Sequence, residues 1–150
     1  LQAGLKLKPN TPGALFDLGN SYYMLKKFSE AISSYETAVT QDKNFWPALN
    51  NIGLIKYEQQ QDDEAIKLWE SSAKLDTKAA EPRLAIAVAL YTKGKRDQGL
   101  ALGEAAIQLD ARYADLKFLK ENLWGDRLLA DTKKFLEIPR IQASIAQIKK

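Results

Sequence analysis

The 150-residue sequence contains no cysteine and no histidine. Disulfides, thiol nucleophiles, Ser-His-Asp triads and Cys/His zinc sites are therefore all excluded. The redox compartment stays open, because a chain without thiols is chemically at home in any. An excess of one charge is also missing: 22 Lys and Arg against 19 Asp and Glu leave only +3. That is too little to argue for nucleic acid or an anionic membrane. The longest apolar run, Leu84 to Tyr91, falls far short of the ~18 residues a spanning helix needs. No Gly-rich phosphate loop is present. The remaining composition, 45% apolar and 27% charged, is that of a globular protein.

What is present is a period. Gly19 and Gly53, Ala31 and Ala65, and Tyr35 and Trp69 each stand 34 residues apart. Three-rung ladders at the same step are Asp42, Asp76 and Asp110; Tyr23, Tyr57 and Tyr91; and Ser29, Asp63 and Asp97. Within each unit, apolar residues such as Leu15, Leu18, Tyr22 and Leu25 recur at three- and four-residue steps, the helical period. The spacing predicts helices over about 12–26, 28–42, 46–60, 63–76, 80–93 and 97–110, with no strand. Pro12, Pro47 and Pro82 fall in first turns, where a missing N–H does no harm. Ser29, Asp63 and Asp97 are placed to cap the second helices, and Gly94 marks the third turn. Gly19 and Gly53 sit mid-helix, where Gly costs about 1 kcal/mol relative to Ala. Close approach of the neighbouring helix near Ala31 and Ala65 would compensate, with Tyr35 and Trp69 filling the gap to the next repeat.

These residues resemble the tetratricopeptide repeat family, whose pattern runs W-x2-L-G-x2-Y, then A-x3-F, then P. The first repeat reads Leu15, Leu18, Gly19, Tyr22, Ala31, Tyr35 and Ala38; the second reads Leu49, Ile52, Gly53, Lys56, Ala65, Trp69 and Ser72. A third keeps Ile86, Ala106, Leu109 and Asp110 but has Gly99 and Gly103 in place of Ala and the aromatic. The resemblance implies an all-α, right-handed superhelical solenoid of antiparallel helix pairs with C-terminal capping helices. Repeats would span 12–45, 46–79 and, in degenerate form, 80–113, followed by a helical cap over 114–150. Pro9 lies 34 residues before Lys43, where the pattern closes, so residues 1–10 read as the end of a preceding repeat helix. The chain is thus expected to be an excerpt with at least one repeat upstream, the alternative being that these residues form a short N-terminal capping helix. It is expected to be soluble and cytoplasmic, and a targeting segment could be missing from it.

The cap region has its own helical faces. Leu116, Leu119, Leu123 and Trp124 form one, Gly125-Asp126 breaks the chain, and Leu128, Leu129, Phe135 and Leu136 form the next. Pro139 opens a last helix with Ile141, Ile145 and Ile148 inward and a basic end at Lys149 and Lys150.

Chemistry is thinly represented. Asp62-Asp63-Glu64 is the densest acidic cluster, and capping plus the helix dipole explain it better than a metal. Lys93-Gly94-Lys95-Arg96 reads as a solvated basic turn. Charge is uneven, with −2 over residues 1–76 and +5 over 77–150, but this names no partner. No catalytic residue, metal ligand or cofactor site is expected, nor nucleic acid or a membrane span.

Binding is the better theme. The resemblance implies that the first helices line a concave groove presenting Phe16, Asp17, Asn20 and Tyr23, then Asn50, Asn51, Leu54 and Tyr57, then Leu84, Val88 and Tyr91. Asn offers donor and acceptor to an extended backbone, and Tyr adds contact area with a polar tip. Some domains of the family clamp a C-terminal carboxylate with Lys, Asn, Asn, Lys and Arg. Asn20 and Asn51 match the two Asn positions, but Phe16, Glu81 and Ala85 stand at the cationic ones, so that mode is not expected. The reading is a non-catalytic scaffold binding a protein or peptide segment in the groove. The alternatives are the interaction module of a larger enzyme, or a self-assembly module joining through its terminal helices.

Overall fold

The structure is a computed structural model describing residues 11–149, so the expectations for Leu1–Pro9 and for Lys150 lie outside the described residues. Nine α-helices are described and no strand occurs among these residues: α1 (Pro12–Met24), α2 (Phe28–Gln41), α3 (Trp46–Glu58), α4 (Asp62–Leu75), α5 (Ala80–Thr92), α6 (Arg96–Leu109), α7 (Leu116–Glu121), α8 (Asp126–Leu136) and α9 (Pro139–Lys149). A 3-10 turn, Ala111–Ala114, leads into α7. α1 pairs with α2, α3 with α4 and α5 with α6, and each hairpin stacks on the next through α2–α3 and α4–α5. This is the helical solenoid the period predicts.

The helix ends follow a repeated backbone device. The first helix of each hairpin stops one or two residues earlier than expected, because Lys26, Gln60 and Gly94 adopt φ of 62°, 65° and 101°. The next amide then reaches back over the helix end: Lys27 N to Tyr22 O, Gln61 N to Lys56 O, and Lys95 N to Leu90 O. This closes the orphan carbonyls of each C-terminus. The second helices begin at Phe28, Asp62 and Arg96, and no side chain caps them. Ser29, Asp63 and Asp97 are therefore second residues of those helices rather than N-caps; the backbone turn has already set the helix start. The Asp ladder has a different task. Asp42, Asp76 and Asp110 accept from the amides of Asn44, Lys78 and Arg112 at 3.0, 2.9 and 3.1 Å, making the same Asx turn after each hairpin.

The close approaches at the mid-helix glycines are made by aromatic rings. A Cβ on Gly19 would lie 2.5 Å from Tyr35 Cε1, and one on Gly53 would lie 2.5 Å from Trp69 Nε1. The glycines make room for these aromatic rings, which stand one turn along the neighbouring helix from Ala31 and Ala65. In the third hairpin the aromatic position is Gly103. Its vacancy is filled from outside the repeat by Phe135 of α8, whose Cε2 lies 2.6 Å from where a Cβ would stand.

The C-terminal segment also departs from the expected faces. α7 ends at Glu121, and Leu123 takes φ 70°, so Leu123 and Trp124 leave the helical face of Leu116 and Leu119 and Trp124 turns inward. α9 packs on α6 at the end of the stack; Ile141 is fully buried there, whereas Ile148 remains 38% exposed. α8 turns back and lies across α3 and α5.

Candidate functional site

The inner face of the stack is built from α1, α3 and α5, and α8 covers its central part. Leu128 and Phe135 of α8 are buried in one cluster with Leu54, Tyr57, Leu84 and Val88. Phe135 meets Tyr91 edge-on at 5.6 Å between ring centroids. Burying a Phe of this kind is worth about 2–3 kcal/mol, and the edge-to-face geometry adds to it.

Polar groups fix the register of α8. The Glu58 carboxylate accepts from the amides of Arg127 and Leu128 at 2.8 and 3.0 Å, so a side chain of α3 closes the open N-terminus of α8. Gly125 permits this approach, since a Cβ there would lie 2.6 Å from Glu58 Oε1. Arg127 donates to Tyr57 O at 2.6 Å and to both carboxylate oxygens of Asp62 at 2.5 and 3.0 Å. Its guanidinium also stacks 4.4 Å over the Tyr57 ring. The Tyr57 hydroxyl donates to Asp131. Burial foremost, then the hydrogen bond to Asp131, pushes the Tyr57 phenol well up from its ordinary value of 10.0.

A second set of polar contacts runs across the repeats. Tyr35 Oη donates to Asn20 Oδ1 at 2.5 Å, and Asn51 Nδ2 donates to the same oxygen at 3.0 Å. Asn50 Nδ2 donates to Asn51 Oδ1 at 3.1 Å and to Glu81 Oε2 at 2.9 Å. Trp124 Nε1 completes the line by donating to Glu81 Oε2 at 3.0 Å. Asn50 Oδ1 is buried without a partner. Burial, the largest cause, raises the Glu81 carboxyl above its ordinary 4.5, against the lowering effect of its two hydrogen bonds. Burial also raises the phenol of Tyr35 to about 12.

The candidate groove residues thus fall into two groups. Asn50, Asn51, Leu54, Tyr57, Leu84 and Val88 are buried, and Leu54, Tyr57, Leu84 and Val88 lie in the α8 cluster. Asn50 and Asn51 spend their amides on each other, on Asn20 and on Glu81, leaving little for an incoming backbone. Phe16, Asn20, Tyr23 and Tyr91 are partly exposed. Phe16 and Asn20 line a cavity of 290 Å³ with Asn51, Glu81 and Tyr113, and Tyr23 lines one of 350 Å³ with Phe28, Leu123 and Trp124. Arg127, Asp131, Glu58, Trp124 and Phe135 were not singled out as groove residues from sequence. The available signal was Gly103 at a ring position, facing an unassigned helix with an apolar face at Leu128 and Phe135.

The acidic cluster is dispersed. Asp62 pairs with Arg127, Asp63 with Lys93, and Glu64 with Lys56 at 3.5 Å. Among the described residues no group of three His, Cys, Asp or Glu is arranged to hold a metal. No described helix is long and apolar enough to cross a membrane.

Residues 12–45 match the family model described as tetratricopeptide repeat. Among solved structures, one crystal structure of MamA is 18% identical with a TM-score of 0.66, over 99% of this chain and 84% of that one. A second MamA crystal structure is 21% identical with a TM-score of 0.61, over 73% of this chain and 60% of that one. No curated protein matches by sequence. The chain therefore has the tetratricopeptide-repeat fold, carried in sequence by residues 12–45 and in structure by the three stacked hairpins.

Proposed function

We propose that the chain is a non-catalytic protein–protein interaction scaffold that holds a segment of a partner on the inner face of its first helices. The observation that carries this reading is α8 itself. An eleven-residue amphipathic helix already lies on that face, seated by Leu54, Tyr57, Leu84 and Val88 and oriented by Glu58 and Asp62. Helix-in-groove recognition works through such apolar anchors with polar groups at the rim. With the centre occupied, the surface left for a partner adjoins α1, around Phe16, Asn20 and Tyr23.

The test uses a partner isolated from the native cell, with variants on and off the inner face. Asn20→Ala combined with Tyr23→Ala is expected to weaken binding by about 2 kcal/mol or more, one lost hydrogen bond plus one truncated aromatic. Lys67→Ala, exposed on α4, is expected to bind like wild type. If the Lys67 variant lost affinity while the α1 variant kept it, partners would use the outer face and the reading would fail.

A further inference from the structure

Glu81 is a carboxylate with which no cation among the described residues pairs. It is 7% exposed. Its hydrogen bonds, from Asn50 and Trp124, both go to Oε2, leaving Oε1 without a partner among the described residues. Position in the first turn of α5 eases the charge through the helix dipole. It does not replace a counter-ion, and burying a carboxylate without one is costly.

The 290 Å³ cavity that Glu81 lines has a matching character. Glu121 stands at its rim, and no Lys or Arg among the described residues lines it. Its remaining walls include the rings of Phe16, Trp46 and Tyr113, which can flank an alkyl chain and face a cation. Tyr113 lines the same cavity, and burial first, then the charge of Glu81, raises its phenol to about 12. An acidic base, aromatic walls and no competing cation among the described residues together fit one kind of guest.

We propose that this cavity receives the basic side chain, lysine or arginine, of a bound partner segment, with Glu81 Oε1 as the acceptor at its base. The proposal rests on the inner face being the interaction surface, and it names the side chain that surface selects. The stem would lie along Phe16 and Trp46, and the charged head would complete the unpaired carboxylate. Charge-assisted bonds of this type are about twice as strong as neutral ones.

The test needs no natural partner. The full chain is titrated with the capped tripeptides Ac-Ala-Lys-Ala-NH2, Ac-Ala-Arg-Ala-NH2 and Ac-Ala-norleucine-Ala-NH2, and with butylammonium. The readout is the NMR signal of the Trp124 indole N–H, one hydrogen bond from the carboxylate. The Lys or Arg peptide is expected to shift that signal saturably at about 1–10 mM, the range for a single small anchor, and the norleucine peptide at least about tenfold more weakly. Glu81→Gln, whose amide oxygen can still accept from Trp124, is expected to weaken the basic peptide by about tenfold. Glu121→Gln at the exposed rim gives about two- to fivefold and keeps the test decisive should Glu81→Gln fail to fold. Equal binding of the norleucine peptide, or unchanged binding in both Glu variants, would overturn the proposal. Saturation by butylammonium with both basic peptides excluded would also overturn it, in favour of a small-amine site. Failure here alongside α1-dependent partner binding would remove the basic anchor and leave the scaffold reading standing.

Discussion

Gly103→Ala tests whether α8 supplies the ring that the third repeat lacks. On an exposed helix this change stabilises by about 1 kcal/mol through helix propensity. Here the new Cβ would stand 2.6 Å from Phe135 Cε2, and closer still to Cζ, so the ring must retreat by about 1 Å to reach ordinary van der Waals distance. Phe135 is 1% exposed and in edge contact with Tyr91, so it has nowhere free to go. Overpacking of this kind costs about 1–3 kcal/mol, and the net change in wild type is expected to lie between neutral and about 2 kcal/mol destabilising. Phe135→Ala alone is expected to cost about 3–5 kcal/mol. In that background the clash is gone, and Gly103→Ala should now stabilise by about 1 kcal/mol. The four proteins of this cycle can be compared by urea unfolding, with a coupling energy of about 1–3 kcal/mol expected. Equal stabilisation by Gly103→Ala in both backgrounds would refute the idea that Phe135 occupies the vacant ring position.

Three further outcomes follow from the same contacts. Arg127→Lys is expected to cost about 1–3 kcal/mol by denaturant unfolding, nearly as much as Arg127→Ala, because a point charge cannot reproduce the fork onto Asp62 and the stack on Tyr57. Glu81→Gln should change how stability depends on pH. With its folded pKa raised above the ordinary 4.5, Glu81 keeps its proton in the folded state after the unfolded chain has lost it, so it makes stability fall as pH rises through that window. The variant should therefore gain on wild type as pH rises above about 4.5, as read from unfolding midpoints at each pH, and a constant gap would contradict the burial argument. Gly53→Ala, whose Cβ would stand 2.5 Å from Trp69 Nε1, is expected to cost about 1–3 kcal/mol by thermal unfolding. It also threatens the Trp69 hydrogen bond to Asn50 O at 3.1 Å.

The six solenoid helices were legible because their determinants are local. A 34-residue period, prolines in first turns and apolar residues at three- and four-residue steps fix hairpins without reference to distant chain. The errors at the helix ends share a cause. Ser29, Asp63 and Asp97 look like caps, but Lys26, Gln60 and Gly94 close each turn in the backbone, and nothing in a Lys or Gln announces φ > 0. The groove was legible as a set of positions, and its covering was not. Tyr57 to Asp131 and Glu58 to Arg127 are contacts about 70 residues apart in sequence, and no period connects them. Glu81 was visible as the absence of a cation; that it would be buried beside Trp124 depended on the turn at Leu123, which no helical face foretells.

The most direct measurement is amide hydrogen exchange along α8. An isolated eleven-residue helix is marginal in water, so its amides are protected only while it is seated on α3 and α5. The structure requires the central amides of α8 to exchange as slowly as those of α3 and α5, through opening near the global unfolding free energy. Fast exchange in α8 with α3 and α5 still protected would mean that the inner face is open and that the helix does not occupy it.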